Sequence, residues 1–559
     1  MKLLWLDLNS SYAHSSLALP ALHAQVAASA DDVEWFRHSA TINENPGMIA
    51  AEVYRYAPDV VAATCWLFNH EVLLHVLARV HALLPEATIL LGGPEFLGDN
   101  SEFLRTSSFV TAVFRGEGEE SFSQWLKVWN QPESWSDISG LCYYDAQGNY
   151  HDQGIARVLD FDQLCSPEES SFFNWEKPFV QLETTRGCFN TCSFCVSGGE
   201  KPVRRLPLSQ VRERLQRIHQ AGIRDVRLLD RTFNYNIHYA RQLLQLFQEF
   251  PGMRFHLEIH PALLTDELKQ ELLRLPQGLL HLEAGIQSLR ADVLAECHRK
   301  GRLEDALSGL KFLCSLPNME THADLIAGLP LYRLQDIFSD VVTLASYHAG
   351  EIQLESLKVL PGTDMRRRAS ELGLVYSPYP PYEVLMTPHI TPQELQTARY
   401  LSRLLDAFYN AKTWQTVTRQ LIIEQPDFLL RFLEHLQDLH VIDQPMALDR
   451  RGVILYEFCK HHYPEYAPLV AQAWIEGGLS LKKQPAEYVR TKHVSPPKSG
   501  ILFLENIRNS YVFVFMLLPE PKNMCGMAMI ARYRIPVRCS RLSPNRYYKK
   551  NRVRLPCEV

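Results

Sequence analysis

Three closely spaced cysteines are the residues of this chain best suited to carry chemistry. Cys188, Cys192 and Cys195 lie in the segment TTRGCFNTCSFC, directly after a predicted strand. Their CxxxCxxC spacing places three thiolates on one loop, where they can hold three corners of an iron–sulfur cube. The fourth iron is then open to the amino and carboxyl groups of a ligand, and a reduced cluster could deliver an electron to a sulfonium bound there.

Structural zinc is the alternative interpretation of this triplet. Such sites usually have four protein ligands, and no second cysteine pair or CxxH lies nearby. The twelve cysteines are too sparse for a disulfide scaffold. Most of the others, such as Cys65, Cys142 and Cys314, stand alone in apolar surroundings and are predicted to be small buried residues. The clustering therefore favours an iron–sulfur site.

The elements that must position the triplet follow a strand–helix repeat. From Phe179 to about residue 390, six such repeats occur without an intervening meander, which predicts a partial (β/α)6, TIM-like barrel of parallel strands. The catalytic face of such a barrel lies where its strands end. The triplet follows the first of these strands.

At this point the sequence resembles the radical S-adenosylmethionine (radical SAM) superfamily, whose signature is this cysteine spacing after the first barrel strand. The resemblance extends over about residues 179–365. It implies a four-iron four-sulfur cluster, S-adenosylmethionine as second cofactor, and its reductive cleavage to a 5′-deoxyadenosyl radical. Phe194 matches the family's aromatic position near adenine.

The resemblance also places cofactor-binding groups at the ends of the second, third and fourth strands. In LLDRTFNYN, Asp230 and Arg231 are candidates for the methionine amino group, although the family's usual GGE motif is missing. The next two strand ends offer groups that can bind ribose hydroxyls or clamp the methionine carboxylate indirectly. They are Glu258, Glu283, Gly285, Gln287 and Ser288.

The fifth and sixth strand ends complete this series. DLIAGLP resembles the family's fifth strand, where backbone around residues 326–329 packs against adenine and Gly328 permits close approach. SLKVLPGT brings Lys358 and Thr363 towards the same mouth. Each of these positions alone is also typical of an ordinary strand end. Their order after the triplet is what supports a binding role.

Ahead of the barrel, alternating strands and helices predict a doubly wound, Rossmann-like domain that resembles the cobalamin (B12)-binding domain of one radical SAM subgroup. Gly92, Gly93 and Pro94 would let the backbone lie close to the corrin or its nucleotide tail. The DxHxxG motif is missing, so no histidine from that motif would bind cobalt, and His14 is not expected to replace it. An ordinary strand-to-helix turn is the alternative interpretation of GGPE.

Composition and patterning predict five segments. They are an α/β domain over residues 1–155, a linker over 156–178, the barrel over 179–390, a mainly helical domain over 391–491, and a basic tail over 492–559. A net charge of −6 gives no general basic footprint for nucleic acid, although the Arg-rich tail leaves a local one open. No apolar run approaches the roughly 20 residues of a membrane span, which predicts a cytoplasmic protein.

Three functional hypotheses follow. The first is a cobalamin-dependent radical SAM enzyme that performs methyl transfer or a rearrangement on an unknown substrate, with an electron donor such as flavodoxin or ferredoxin. The second is radical oxidation or sulfur insertion without bound cobalamin, although no further CxxC set is present for the second cluster of a methylthiotransferase. The third is a non-catalytic iron–sulfur protein that binds nucleic acid through the basic tail.

Overall fold

The N-terminal part of the computed structural model is a seven-stranded sheet with helices on both faces. The strand order is β2-β1-β3-β4-β5-β6-β7. The first five strands are parallel, and the last two are antiparallel. In chain order the elements are β1 Lys2–Asn9, α1 Ala18–Ala27, β2 Glu34–Thr41, α2 Pro46–Arg55, β3 Val60–Thr64, α3 His70–Leu83, β4 Thr88–Gly92, α4 Ser101–Thr106, β5 Ala112–Phe114, α5 Glu119–Lys127, β6 Leu141–Tyr144 and β7 Tyr150–Asp152.

Burial on both faces explains the near-continuous apolar strands of this sheet. On β1, Leu4 and Leu6 belong to one hydrophobic core, whereas Leu3 and Trp5 belong to a second core on the opposite face. Successive side chains of a strand point to opposite faces, so both faces of β1 must be apolar. This pattern is the reason why the sequence indicated a parallel, covered sheet.

The second sheet consists of six parallel strands in the order β15-β14-β13-β12-β11-β8, with helices between them. Together they form the predicted partial barrel. In chain order its elements are β8 Phe179–Leu182, β9 Thr185–Arg186, β10 Arg204–Arg205, α6 Leu208–Gln220, β11 Asp225–Leu228, α7 Ile237–Phe247, β12 Arg254–Ile259, α8 Asp266–Arg274, β13 Leu280–Gln287, α9 Ala291–Glu296, α10 Leu303–Ser315, β14 Glu320–Ala327, α11 Leu334–Ser346, β15 Glu351–Ser356, α12 Asp364–Arg367, β16 Val375–Tyr376 and β17 Val384–Met386.

Polar and apolar residues alternate along the central barrel strands. On β12, Phe255 is fully buried and its ring stacks on Phe247 of α7, with centroids 3.9 Å apart. The alternate residues His256 and Glu258 therefore lie on the opposite, inner side of the strand. The same alternation occurs on β13 and β14, so the three central strands direct polar side chains into the barrel.

The chain divides into two compact units, Met1–Arg399 and Tyr400–Val559. From Tyr400 to residue 480 the second unit is mainly helical, and its core there contains the fully buried rings of Trp414 and Trp474, with centroids 6.1 Å apart. The remaining elements are α13 Pro392–Leu404, α14 Lys412–Glu424, α15 Phe428–Asp438, α16 Leu448–His462, α17 Ala467–Glu476, β18 Tyr488–Thr491, β19 Val512–Leu517 and β20 Ala528–Tyr533. The last three strands form a small sheet in the order β18-β20-β19.

The structure describes residues 1–11, 16–27, 33–480 and 483–485, together with the backbone of β18, β19 and β20. His14 and most of the predicted basic tail lie outside these residues. The predicted fold class is confirmed, since a Rossmann-like domain precedes a partial barrel and a helical region follows it. In the described part of the chain, no helix has the length and hydropathy that crossing a bilayer requires.

Candidate active site

The cysteine loop connects β9 to β10, which pair with each other as an antiparallel ribbon. Backbone hydrogen bonds fix its shape, because the Cys188 N–H donates to the Glu200 carbonyl over 2.9 Å and the Cys195 N–H to the Cys192 carbonyl over 3.1 Å. The three cysteines line one open pocket of ≈ 760 Å³ at the end of the barrel strands. The predicted convergence of the three thiols on one site is therefore present.

A glycine on this loop shows how tightly the cysteines are packed. A Cβ at Gly198 would lie 2.4 Å from the Cys192 carbonyl oxygen and 2.9 Å from that of Cys195. No side chain fits there, so the loop can curl closely around its thiols. Three thiol donors with a close-packed backbone and open space in front of them fit a four-iron four-sulfur cluster with one free iron.

Two arginines accompany the thiols. The Arg299 Nη1 donates to the Cys192 Sγ over 3.5 Å. Burial raises the pKa of the Cys192 thiol, whereas the Arg299 guanidinium acts in the opposite direction. Burial likewise raises the pKa of Cys195, and the charge of Arg231 opposes it. Both cations favour the thiolate form, which is the form that binds metal.

Three carboxylates form another part of the pocket wall. Glu258, Glu283 and Asp324 come from the neighbouring strands β12, β13 and β14. Burial raises the pKa of Glu258 to about 7, and Arg231 partly counteracts this shift. Burial also raises the pKa of Asp324 well above its usual range, with the charges of Glu283 and Glu258 adding to the effect. The pocket therefore contains groups that can hold protons near neutral pH.

Most of the residues proposed from the sequence line this pocket. They are Cys188, Cys192, Cys195, Phe194, Arg231, Glu258, Glu283, Gly285 and Gln287. They come from the cysteine loop and from the carboxyl ends of three later strands. The strand order along the sheet is what brings them together.

Asp230, Ser288 and Gly328 do not line the pocket. The buried Asp230 carboxylate accepts hydrogen bonds from the Thr184 and Thr185 N–H groups over 2.8 and 3.0 Å, and from the Thr184 hydroxyl. Ser288 is fully buried, and its hydroxyl accepts from the Arg290 N–H over 3.2 Å. Gly328 has φ +89°, and a Cβ there would lie 2.3 Å from the Val384 Cγ1. Their contacts to a cofactor stay predictions.

Lys358 and Thr363 also lie outside the pocket lining. The Lys358 ammonium is 3.2 Å from the Glu355 carboxylate. The Thr363 hydroxyl accepts from the Arg366 N–H over 3.2 Å at the start of α12. Both side chains are engaged locally.

Two functional candidates are missing from the sequence prediction. Arg299 follows α9 in the segment HRKGR, where nothing in the local pattern indicates contact with a cysteine. Asp324 lies in DLIAGLP, which was considered only for its backbone. The alternation of side chains along β14 could have predicted Asp324, because residues two positions apart on a strand share a face and Asp324 lies on the face directed into the barrel.

A second cavity, of ≈ 850 Å³, lies at the N-terminal sheet. Apolar residues of β1, β3, β4 and β5 line much of it, together with Gly92 and Gly93, whereas Pro94 is not part of the lining. Gly93 has φ +112°, and a Cβ would lie 2.5 Å from the Cys65 carbonyl oxygen. No histidine lies among the described residues around this cavity. Its largely apolar wall suits a partly apolar ligand such as part of a corrinoid.

An ion-pair network joins this cavity to the cysteine loop. Arg186, which lines the cavity and lies two residues before Cys188, is 2.9 Å from Glu119 and 2.6 Å from Glu183. Arg204 of β10 is 2.7 Å from Glu117. All of these side chains are at most one quarter exposed, so the pairs are partly desolvated. The network therefore connects the rim of the cavity to the two strands that hold the cysteine loop, although the two pockets have no described lining residue in common.

Family models match three parts of the chain. Residues 182–337 match the radical SAM superfamily, residues 6–126 match the B12 binding domain, and residues 370–469 match a protein family of unknown function, DUF4080. The chain thus contains a radical SAM domain preceded by a B12-binding domain. The predicted family and cofactor classes are confirmed at this level.

Two relatives illustrate the sequence similarity. The tRNA-2-methylthio-N(6)-dimethylallyladenosine synthase of Acinetobacter baumannii (strain AYE) is 28% identical over 302 residues, covering 51% of this chain and 54% of that protein. The cytidylyl-2-hydroxyethylphosphonate methyltransferase of Streptomyces wedmorensis is 26% identical over 317 residues, covering 49% and 58%. The chain therefore spans little more than half the length of these relatives.

Solved structures share the fold. The cobalamin-dependent S-adenosylmethionine radical enzyme OxsB superposes with a TM-score of 0.61 at 12% identity, covering 87% of this chain and 82% of that one. The radical S-adenosylmethionine methyltransferase TsrM from Kitasatospora setae gives a TM-score of 0.53 at 15% identity, covering 70% and 81%. At such identities the likeness establishes the architecture alone.

Proposed function

We propose that this protein is a cobalamin-dependent radical SAM enzyme that transfers a methyl group or rearranges an unactivated carbon of its substrate. The observation that carries the proposal is the convergence of Cys188, Cys192 and Cys195 on one pocket, beside an apolar cavity in a B12-binding domain. When bound, the reduced cluster supplies an electron to S-adenosylmethionine, and the corrinoid supplies a methyl carrier.

The residues of the pocket have separate tasks in this proposal. The cysteines hold the cluster, and Arg299 donates a hydrogen bond to Cys192, which stabilises thiolate charge. Glu283 would accept hydrogen bonds from the ribose hydroxyls or the methionine ammonium of S-adenosylmethionine, and Gln287 would accept or donate there, since both side chains line the pocket. Glu258, with its pKa of about 7, can hold or release a proton at the pocket wall.

Gly92 and Gly93 line the cavity and would let the backbone lie close to a bound corrinoid. Arg186 borders their cavity on the side of the cysteine loop. Methyl transfer is favoured over rearrangement because two of the similar proteins, the Streptomyces wedmorensis enzyme and TsrM, are named methyltransferases.

Sulfur insertion has less support. It would require a second cluster, and the described cysteines of the N-terminal domain, Cys65 and Cys142, are fully buried in its hydrophobic core. Burial raises the pKa of both thiols. Neither presents a thiolate that could bind a cluster.

The first test is the production of 5′-deoxyadenosine after anaerobic cluster reconstitution, with dithionite or a reduced flavodoxin as electron donor. We expect wild-type protein to form it and the Cys195→Ala variant to lose it. Cys314→Ala is the matched control, since Cys314 lies on α10 away from the pocket lining. Retained cleavage in Cys195→Ala would contradict the proposal.

The second test concerns cobalamin. Protein produced with added hydroxocobalamin should purify with corrin absorbance, and Gly93→Val should reduce it while leaving iron content unchanged. A corrin-free wild-type protein that still makes 5′-deoxyadenosine would favour the alternative of radical oxidation without cobalamin. A reduced ferredoxin or flavodoxin is the proposed physiological electron donor, and the cytoplasm is the proposed location.

A further inference from the structure

Three histidines occupy the inside of the barrel below the pocket. His256, His281 and His322 lie on the neighbouring strands β12, β13 and β14, each two residues before one of the pocket carboxylates. Residues two apart on a strand share a face and are separated by about 7 Å. The histidines therefore form a separate layer nearer the amino ends of the strands, and none of them lines the cysteine pocket.

The three rings are close enough to share one ion. One nitrogen from each ring lies within 4.8 Å of the others. Adjacent rings meet edge to face, with centroids 4.0 Å apart between His256 and His281, and 4.1 Å apart between His281 and His322. A tetrahedral zinc ion with bonds of about 2.1 Å separates its ligand nitrogens by roughly 3.4 Å. Small rotations of the three imidazole rings would bring their nitrogens to that separation.

Unpaired nitrogens distinguish this layer from ordinary packing. The Nε2 atoms of His256 and His281 are buried and have no hydrogen-bond partner among the described residues. Edge-to-face contact explains why the rings pack, but it leaves these polar atoms unsatisfied, which is uncommon in a native interior. A metal ion would satisfy both.

The ring nitrogens that would face away from the ion, His322 Nε2 and His281 Nδ1, lie near carboxylates. The Glu351 Oε2 lies 2.9 Å from the His322 Nε2, and the Glu320 Oε2 lies 3.5 Å from the His281 Nδ1. The His322 Nε2 makes no hydrogen bond to the described residues despite that distance, but a small ring rotation would let a metal-bound imidazole donate its N–H to such a carboxylate, which orients the ring and increases its basicity. Two side chains must turn away on binding: Arg254, 2.6 Å from the His281 Nδ1, and Gln353, 3.4 Å from the His322 Nδ1. Arg254 has an alternative partner in Glu320 at 3.5 Å.

We propose that His256, His281 and His322 bind one divalent transition-metal ion, separate from the iron–sulfur cluster. His256 and His281 would bind through Nε2 and His322 through Nδ1. Three imidazoles suit zinc, copper, nickel or iron. Zinc is the probe of choice because Zn²⁺ is redox-inert, so its oxidation state need not be controlled. The ion ties three barrel strands together beneath the pocket.

The test uses the full chain without a polyhistidine tag, carrying Cys188→Ala, Cys192→Ala and Cys195→Ala so that zinc cannot occupy the cluster site. After chelator treatment, zinc loading and desalting, mass spectrometry of the metal content should give one zinc per chain. Adding His281→Gln or His322→Gln should lower this to background, whereas His75→Gln, on the exposed face of α3, should retain it. No bound zinc in the parent, or equal zinc in the variants, would overturn the proposal.

A second measurement covers the case in which the histidine variants fail to fold, which circular dichroism would reveal. X-ray absorption of the zinc-loaded parent should then show three imidazole nitrogens at about 2.0–2.1 Å. Sulfur ligation, or a shell of oxygens only, would overturn the proposal equally.

Discussion

At the scale of single residues, the pocket combines buried acids with two guanidinium groups. Arg299 contacts Cys192, a proposed cluster ligand, whereas Glu258, Glu283 and Asp324 come from three strands on the pocket wall. Hydrogen bonds to cluster sulfurs and nearby charge set the reduction potential of such a centre. The same charges decide which of the acids stay protonated.

Replacing Arg299 by methionine should lower the reduction potential of the reconstituted cluster. A hydrogen bond to a charged group is worth about 1.5–3 kcal/mol, so its loss corresponds to a shift on the order of 100 mV for a one-electron couple. A redox titration followed by electron paramagnetic resonance measures the shift. Arg302→Met is the control, because that side chain is 76% exposed and pairs only with α10 acids. Equal potentials in both variants would contradict the prediction.

Glu258 should make the stability of the cluster-free protein depend on pH. Its pKa is raised from 4.5 to about 7 in the folded state, so its favourable contribution is present below pH 4.5 and lost as pH rises through 7. The free energy of unfolding of wild type should therefore fall relative to Glu258→Gln over this range, by up to about 3 kcal/mol. Urea denaturation at pH 4.5 and 8 measures it, with Glu304→Gln as control. A difference that does not change with pH would refute the assignment.

The same residues show which parts of the site can be predicted from the sequence and which cannot. Cys188, Cys192 and Cys195 were predictable because their spacing alone defines a metal-binding loop. Arg299 was not, because it reaches Cys192 from 107 positions further along the chain and no local pattern encodes that contact. Asp230 was proposed from the family resemblance; its carboxylate accepts hydrogen bonds from the Thr184 and Thr185 N–H groups, and its contact to S-adenosylmethionine stays a prediction.

At the scale of elements, the cysteine loop depends on glycine where its backbone folds back on itself. Gly198 faces the carbonyl oxygens of Cys192 and Cys195, whereas Gly199 has φ +79° and open space around its Cβ position. A side chain at Gly198 would thus clash with neighbouring atoms, whereas a side chain at Gly199 would only disfavour the backbone conformation.

The variant Gly198→Ala should lose most of its iron and acid-labile sulfide after reconstitution. A Cβ 2.4 Å from the Cys192 carbonyl oxygen forces the loop apart and displaces two ligands. Gly199→Ala should keep its cluster, at a conformational cost of about 1–2 kcal/mol for the left-handed backbone. Iron analysis and the absorbance of the cluster compare the two, and equal iron content would show that loop packing does not control assembly.

The elements themselves were largely predictable, because periodicity reports burial. Near-continuous apolar strands such as β3 indicated a covered parallel sheet, and six strand–helix repeats indicated the barrel. The positions of Ser288 and Gly328 relative to the pocket were not predictable. They depend on the path of the backbone just beyond the strand ends, where the periodicity of the strand no longer applies.

At the scale of the molecule, the B12-binding domain and the barrel belong to one compact unit with buried ion pairs between them. Arg204 and Glu117 are each only 10% exposed. Partly desolvated pairs of this kind add little net stability when complete, but removing one partner leaves a buried charge without compensation.

Replacing Arg204 by methionine should therefore destabilise this unit by about 3–5 kcal/mol. The double variant with Glu117→Gln should recover part of that loss, since the Glu117 carboxylate is no longer left without Arg204, although Glu200 still loses that partner. Arg105→Met breaks a pair whose side chains are 63% and 71% exposed, and should cost at most about 1 kcal/mol. Thermal and chemical denaturation compare the variants, and additive effects in the double variant would exclude coupling.

The short segment from Arg186 to Cys188 limits the distance between the rim of the apolar cavity and the cysteine loop. It lines the apolar cavity, and only Gly187 separates it from Cys188. Two residues of extended chain span at most about 7 Å, so the backbone of Arg186, at the rim of the cavity, lies within that distance of the backbone of Cys188. A residue inserted between Arg186 and Cys188 is therefore expected to break either the Arg186 ion pairs or the hydrogen bond from Cys188 to Glu200, so the cavity rim and the cysteine loop can change only together.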